Sequence, residues 1–293
     1  MIKRFTLSVA LLIASASAST SIQASDALSG LKGPYLGQTP PGNTPEPFAP
    51  GIVVTDGWEY GLSFAPGMKE AYFLRANPET GDHELVLLTE KKDGWHKRVV
   101  SPRPGQPVFS PDGKTMHLGR RYKERTADGW SDVKMLEAPF DEFLIMRMSS
   151  SRHGTLYFDT YDENNDAFPL RYSRLVDGER QAPKALGANI NTGTYMAHPF
   201  IAPDESYLIW DAKREDGHGD SDIYISYRQA DGTWGEAINL GDKINTSAWE
   251  AAAGVSPDGK YLFFNRNMKP GTYDNVDIFW VDASFIEDLR PKQ

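Results

Sequence analysis

The sequence contains no cysteine. This excludes a lipid-modified N-terminal cysteine, disulfide cross-links and a thiol nucleophile. Its six histidines are scattered and none has the spacing of a zinc site, so neither a metal nor a cofactor is expected. An excess of basic charge is also missing. The formal net charge is −9, whereas contact with nucleic acid needs clustered lysine and arginine. Lys91-Lys92 and Arg120-Arg121 are isolated pairs, and no nucleic-acid partner is expected. The chain has no phosphate-binding glycine loop and no nucleophile elbow for Ser-His-Asp chemistry. Beyond the N-terminus no apolar run is long enough to cross a bilayer, so no membrane insertion is expected.

What is present at the N-terminus reads as an export signal. Lys3 and Arg4 form a positive start, Phe5 to Ala14 is a short apolar stretch, and Ala16-Ser17-Ala18 offers a small-x-small cleavage site. The expected signal is 1–18, with cleavage after Ala24 as the alternative, and the expected location is the periplasm. Residues 19–50 read as a proline-rich arm that includes Pro34, Pro40, Pro41, Pro45, Pro47 and Pro50. Proline at that density rules out a regular helix or a central strand. The arm is either a linker or an extended segment laid across the domain, anchored by Tyr35, Leu36 and Phe48.

From residue 51 to 293 the sequence repeats itself, and the repeat predicts the fold. Ser110-Pro111-Asp112-Gly113 and Ser256-Pro257-Asp258-Gly259 are full copies of a turn. Ala65-Pro66-Gly67 and Ala202-Pro203-Asp204 are weaker copies, and Ser151-Arg152-His153-Gly154 is a degenerate one. An apolar strand follows each, as in Tyr207-Leu208-Ile209-Trp210 and Tyr261-Leu262-Phe263-Phe264. Pro presets φ, Asp bonds the nearby backbone and Gly accepts positive φ, so each copy closes a tight hairpin. Positions 66, 111, 152, 203 and 257 are 45, 41, 51 and 54 residues apart, about one four-stranded propeller blade each. The expectation is an all-β propeller of five four-stranded antiparallel blades, six being the alternative. The second unit reaches its Asp128-Gly129-Trp130 turn early, which predicts a short third strand there.

The last unit lacks an outer strand. Ile52-Val53-Val54-Thr55 followed by Trp58-Glu59 matches Ile244-Asn245-Thr246 followed by Trp249-Glu250. An N-terminal strand at Ile52–Val54, pairing with residues 276–281, is therefore expected to close the ring and remove its exposed edges.

With its two full SPDG turns, its Asp222-Ile223-Tyr224 and Asp277-Ile278-Phe279 strands and its Trp turns, the segment 34–293 resembles the TolB-like, or WD40-like, propellers of bacterial envelopes. The resemblance is specific for the repeat and implies little about activity. The chain has no room for the separate N-terminal domain of TolB itself.

Because strands alternate in direction, the SPDG turns lie on one face of the ring. The segments entering each first strand and the ends of the second strands meet on the other. That convergence makes Trp58, Glu59, Arg75, His198, Asp211, Trp249, Glu250 and Arg266 the candidate ligand-binding residues, with Arg120, Asp159 and Asn265 beside them. Glu59 and Glu250 are expected as neighbours at the channel entrance, next to His198 and Asp211. Aromatics, arginines and carboxylates around a channel suit a polar ligand. Trp58 and Trp249 recur at one repeat position, which packing between blades also explains. Asp216 to Asp222 has several oxygens on a flexible turn but lacks the calcium-loop pattern, and reads as a solvated loop. No residue is assigned a catalytic role. The function expected is a monomeric, non-catalytic binding or protein-interaction scaffold for an envelope protein or polysaccharide/oligosaccharide. The alternative is a carbohydrate-active hydrolase or lyase with two carboxylates in the channel.

Overall fold

Five small antiparallel sheets stand in a ring in the computed structural model, which describes residues 26–161 and 168–292. The expected export signal lies outside the described residues. The first blade comprises Glu59–Phe64, Glu70–Ala76, His83–Lys91 and Gly94–Pro102, with Asp26–Ser29 added at its outer edge. In the second, Val108–Phe109, Thr115–Leu118 and Arg121–Thr126 are followed by Gly129–Trp130 and Lys134–Met135, which both pair with the third strand. The third blade is built from Met148–Ser150, Leu156–Asp159, Leu170–Ser173 and Lys184–Ala185. Thr194–Ile201, Tyr207–Lys213, Asp222–Tyr227 and Ile238–Asn239 form the fourth. The fifth has Glu250–Val255, Tyr261–Asn267, Val276–Asp282 and, at its outer edge, Glu46–Pro47. Its strands pack against the first blade, completing the ring. No helix among the described residues is long and apolar enough to cross a membrane.

The repeat turn explains why these segments pair. In all five copies the residue at the Ser position donates its N–H to a carbonyl at or just before the start of the next strand, as Ser110 does to Thr115 at 2.9 Å and Ser256 to Tyr261 at 2.9 Å. In the two full copies the serine hydroxyl also donates to the turn aspartate, Ser110 to Asp112 at 2.7 Å and Ser256 to Asp258 at 2.8 Å. The last turn residue must be left-handed. Gly113, Gly154 and Gly259 meet this at φ 70°, 76° and 76°, while Met68 and Glu205 are held at φ 61° in the weaker copies. Second strands supply the apolar core: Leu74, Phe158, Trp210 and Phe264 are all buried between neighbouring sheets. Each such side chain stabilises the fold by roughly 1.5–3 kcal/mol.

Closure by an N-terminal strand holds, but the strand is Glu46–Pro47 and not Ile52–Val54. Glu46 pairs with Trp280 and Pro47 with Phe279, and the Phe48 N–H donates to the Ile278 carbonyl at 2.8 Å. Residues 49–53 instead form a tight turn, with the Val53 N–H bonded to the Ala49 carbonyl, as the Asn245 N–H is to the Gly241 carbonyl. In both matched places this motif follows the outer strand and does not form it. The second blade also differs from expectation. Its third strand runs six residues, and its first and outermost strands are the short ones.

The described part of the proline-rich arm, from residue 26, packs against the ring. Tyr35, Leu36 and Phe48 are buried against Phe64, Phe263 and Trp280, across the junction of the first and fifth blades. The Tyr35 hydroxyl donates to Asp258 of the last turn at 2.5 Å, and Trp95 of the first blade donates to the Gly33 carbonyl at 2.8 Å.

Candidate functional site: the channel and its entry face

Counting four residues back from the Ser or Ala of each turn gives Gly61, Gln106, Arg147, His198 and Ala252. This is one layer around the axis. In the first, fourth and fifth blades the innermost strand bulges here, and Gly61, His198 and Ala252 have φ of 67°, 52° and 53°. The extra residue of a bulge leaves its N–H outside the ladder. In each case the side chain ending the second strand of the preceding blade takes it up. Asp159 accepts from the His198 N–H at 3.0 Å, Asp211 from Ala252 at 2.9 Å, and Asn265 from Gly61 at 3.0 Å. The three residues therefore staple three consecutive seams of the ring.

The same side chains organise the channel interior. Asp211 holds His198 Nδ1 at 3.0 and 3.1 Å through its two oxygens. In the tautomer that this carboxylate selects, Nε2 accepts from the Tyr60 hydroxyl at 3.1 Å. Burial pushes the Tyr60 phenol well above its ordinary pKa, so it stays protonated. Asp159 accepts two further backbone N–H groups, from Met146 at 2.8 Å and Arg147 at 3.0 Å. Burial pushes its carboxyl up from the usual range, against these backbone donors. Arg147 lies in the same layer, buried, with Tyr60, Asp211 and Asp159 as its electrostatic neighbours. Channel carboxylates are thus committed to backbone and imidazole donors, as buried polar groups must be.

Outside this plug, the entry face opens into a cleft of about 510 Å³ continuous with a smaller one of about 300 Å³. Aromatic rings form a ladder along it. Trp58 stacks on His83 at 4.1 Å and on Tyr60 at 5.3 Å, Tyr60 on Trp249 at 6.0 Å, and Tyr273 meets Trp249 edge-on at 5.6 Å. Arg103 lies over the Trp58 ring at 5.7 Å. Arg120 and Arg121 join it on the cleft wall, where they donate to the main-chain carbonyls of Asp141 and Pro104. Tyr195 and Tyr273 are each 57% exposed.

The residues singled out from sequence divide in two. Trp58, His198, Asp211 and Trp249 come together on the two clefts. Glu59, Arg75, Glu250 and Arg266 do not line them. Glu59 is tied to Thr55 and Glu250 to Thr246, each through both oxygens to the threonine N–H and hydroxyl. Arg75 pairs with Glu84 at 3.1 Å, and Arg266 with Glu250 at 2.8 Å and the Ile244 carbonyl. The hydrogen bonds of Glu59 and Glu250 run to neither each other nor His198 and Asp211. Their recurrence reflects a Thr-x-x-x-Glu clamp at the start of the first strand in the first and fifth blades. The acidic loop near Asp216 is exposed, and the buried Asp222 at its end accepts the loop's own His218 and Gly219 N–H groups at 2.7 and 3.0 Å. Sequence reasoning passed over Tyr60, Arg103, Tyr273 and Arg147. Counting back from the five turns finds Arg147, and one residue further finds Tyr60.

No family model matches the sequence, and no curated protein matches it. Several solved structures match the chain at low identity. TolB from Acinetobacter baumannii is 12% identical with a TM-score of 0.47, over 77% of this chain and 57% of that one. A putative TolB from Agrobacterium tumefaciens is 14% identical with a TM-score of 0.48, over 78% of each chain. A thermostable family-43 glycoside hydrolase is 13% identical with a TM-score of 0.48, over 78% of this chain and 90% of that one. The chain thus spans little more than half of the first of these.

Proposed function

We propose that the protein is a non-catalytic binding scaffold of the bacterial envelope, exported to the periplasm, whose ligand docks on the aromatic and arginine rim of the entry face. One contrast carries this reading. The channel carboxylates are occupied by donors of the fold itself, whereas the rim presents aromatic faces and guanidinium groups to solvent. Retaining or inverting glycoside hydrolysis needs two carboxyl groups free to act on substrate, and Asp159 and Asp211 are each bonded through both oxygens. Nor is Tyr60 a nucleophile at neutral pH while burial holds its phenol protonated.

The ligand class that fits the rim is an acidic oligosaccharide. Sugar rings stack on indole and phenol faces, and arginine meets carboxylates or sulfates bidentately. Calorimetric titration of uronate-containing oligosaccharides tests the proposal. Trp249→Ala is expected to weaken binding about tenfold or more, since loss of a stacking aromatic at a binding hot spot costs upwards of about 1–2 kcal/mol. Turnover of the oligosaccharide would contradict a non-catalytic role. Binding unchanged by Trp249→Ala would remove the ligand from this face.

A further inference from the structure

The opposite face of the ring carries a cavity that the rim does not use. It measures about 660 Å³ and is enclosed by the five SPDG-type turns. Its deepest polar group is Arg147. The residue is 4% exposed, and its Nε and Nη1 have no hydrogen-bond partner among the described residues. A buried guanidinium without a direct partner is costly, and a bound anion is one way to offset the cost.

The layer above Arg147, two residues before the turn in each blade, completes a cradle. It consists of Ser63, Val108, Ser149, Phe200 and Gly254, all lining the cavity. Ser149 Oγ accepts the Ile201 N–H at 3.1 Å and Ser63 Oγ accepts the Phe109 N–H at 3.4 Å. Both hydroxyls keep their own proton to donate. Gly254 leaves open the space beside the guanidinium, because a Cβ there would stand 3.2 Å from Nη2 and 3.3 Å from the Phe200 ring. Farther out the walls turn apolar, with Leu62, Phe64, Phe109 and Phe263.

We propose that this cavity is a second ligand site, which takes a monocarboxylate carried on an apolar body, with Arg147 as the anchor and the Ser63 and Ser149 hydroxyls as supporting donors. A guanidinium fork matches a carboxylate in geometry and charge. A dianion such as a phosphate monoester is disfavoured, because Asp159 and Asp211 lie on the inner side of the same cation. An apolar chain of about ten carbons then lies against the aromatic wall, where burial of its methylenes adds to the affinity.

The test uses decanoate, the uncharged decanamide and decyl phosphate, titrated against the intact protein below their micellar range. Decanoate is expected to bind at least about tenfold tighter than either analogue. Arg147→Met should abolish that preference while the protein stays folded, because an apolar side chain of similar length replaces a guanidinium whose Nε and Nη1 bond to no described residue. Gly254→Val should weaken decanoate with Arg147 still in place, by filling the cradle. Equal binding of decanoate and decanamide, or a preference that survives Arg147→Met, would overturn the proposal. Tighter binding of decyl phosphate would overturn the choice of a monoanion.

Discussion

The five seams of the ring are closed in two different ways. Three of them, from the third blade round to the first, are stapled at the axis by Asp159, Asp211 and Asn265 on bulge N–H groups. The two on either side of the second blade are not. The staple position there holds Leu74 and Gly119, the first buried in the core and the second required because a Cβ would come within 2.5 Å of the Ile145 carbonyl. The seam between the first and second blades is held instead at its outer rim, where Glu70 accepts from Arg125 at 2.7 Å and from Trp130 at 3.1 Å. Staples of this kind use up carboxylates. The channel carboxylates that look chemically rich in sequence are therefore committed to donors of the fold itself.

The comparison can be broken from either side. The largest effect is expected from Asp159→Ala, which leaves three backbone N–H groups without an acceptor. At about 1–3 kcal/mol for each buried unsatisfied group, urea unfolding should show a loss of about 3 kcal/mol or more. Asn265→Ala removes a neutral acceptor from a single N–H and should cost about 1–3 kcal/mol. Glu70→Gln, at the unstapled seam, should cost under about 1 kcal/mol in the same assay, because its partners are partly exposed. Equal losses at the two kinds of seam would show that the staples carry no special share of stability.

A smaller, pH-dependent effect is expected at Asp277. Burial, with Glu59 and Asp56 nearby, pushes its carboxyl up to about 6, and its Oδ1 has no partner among the described residues. Its repeat counterpart Asp222 shows the satisfied version, with two loop N–H groups and Asn239 bonded to it. The folded state binds the Asp277 proton more tightly than the unfolded chain does. Its contribution is therefore fully present below about pH 4 and lost as pH rises through about 6. Asp277→Asn should raise the melting temperature by a few degrees above pH 6 and leave it unchanged at pH 4. An equal shift at both values would rule out this origin.

How much of this was legible in the sequence follows from the size of each signal. The turns were legible because proline, aspartate and glycine each meet a local backbone demand, so five copies could be counted. The closing strand was misplaced because it pairs through only two residues, Glu46 and Pro47, and a proline there reads as a break. The ends of the second strands pointed correctly to the axis at Asp159, Asp211 and Asn265. Their role did not follow, because a bulge at His198 or Ala252 has no residue signature; only Gly61 carries one. The Thr55–Glu59 and Thr246–Glu250 clamps were visible as a recurrence, but recurrence alone does not tell a clamp from a ligand site. Tyr60 and Arg103 belong to the rim through packing between distant segments, which no local pattern records.

The most direct test of the account sets Asp211→Asn beside Trp249→Ala and measures both stability and affinity for an acidic oligosaccharide in each. If channel carboxylates hold the ring and the rim binds, Asp211→Asn lowers the melting temperature and leaves affinity intact, while Trp249→Ala weakens affinity at least about tenfold with the fold retained. The reverse pattern, with affinity lost in Asp211→Asn at unchanged stability, would contradict the division of roles between channel and rim.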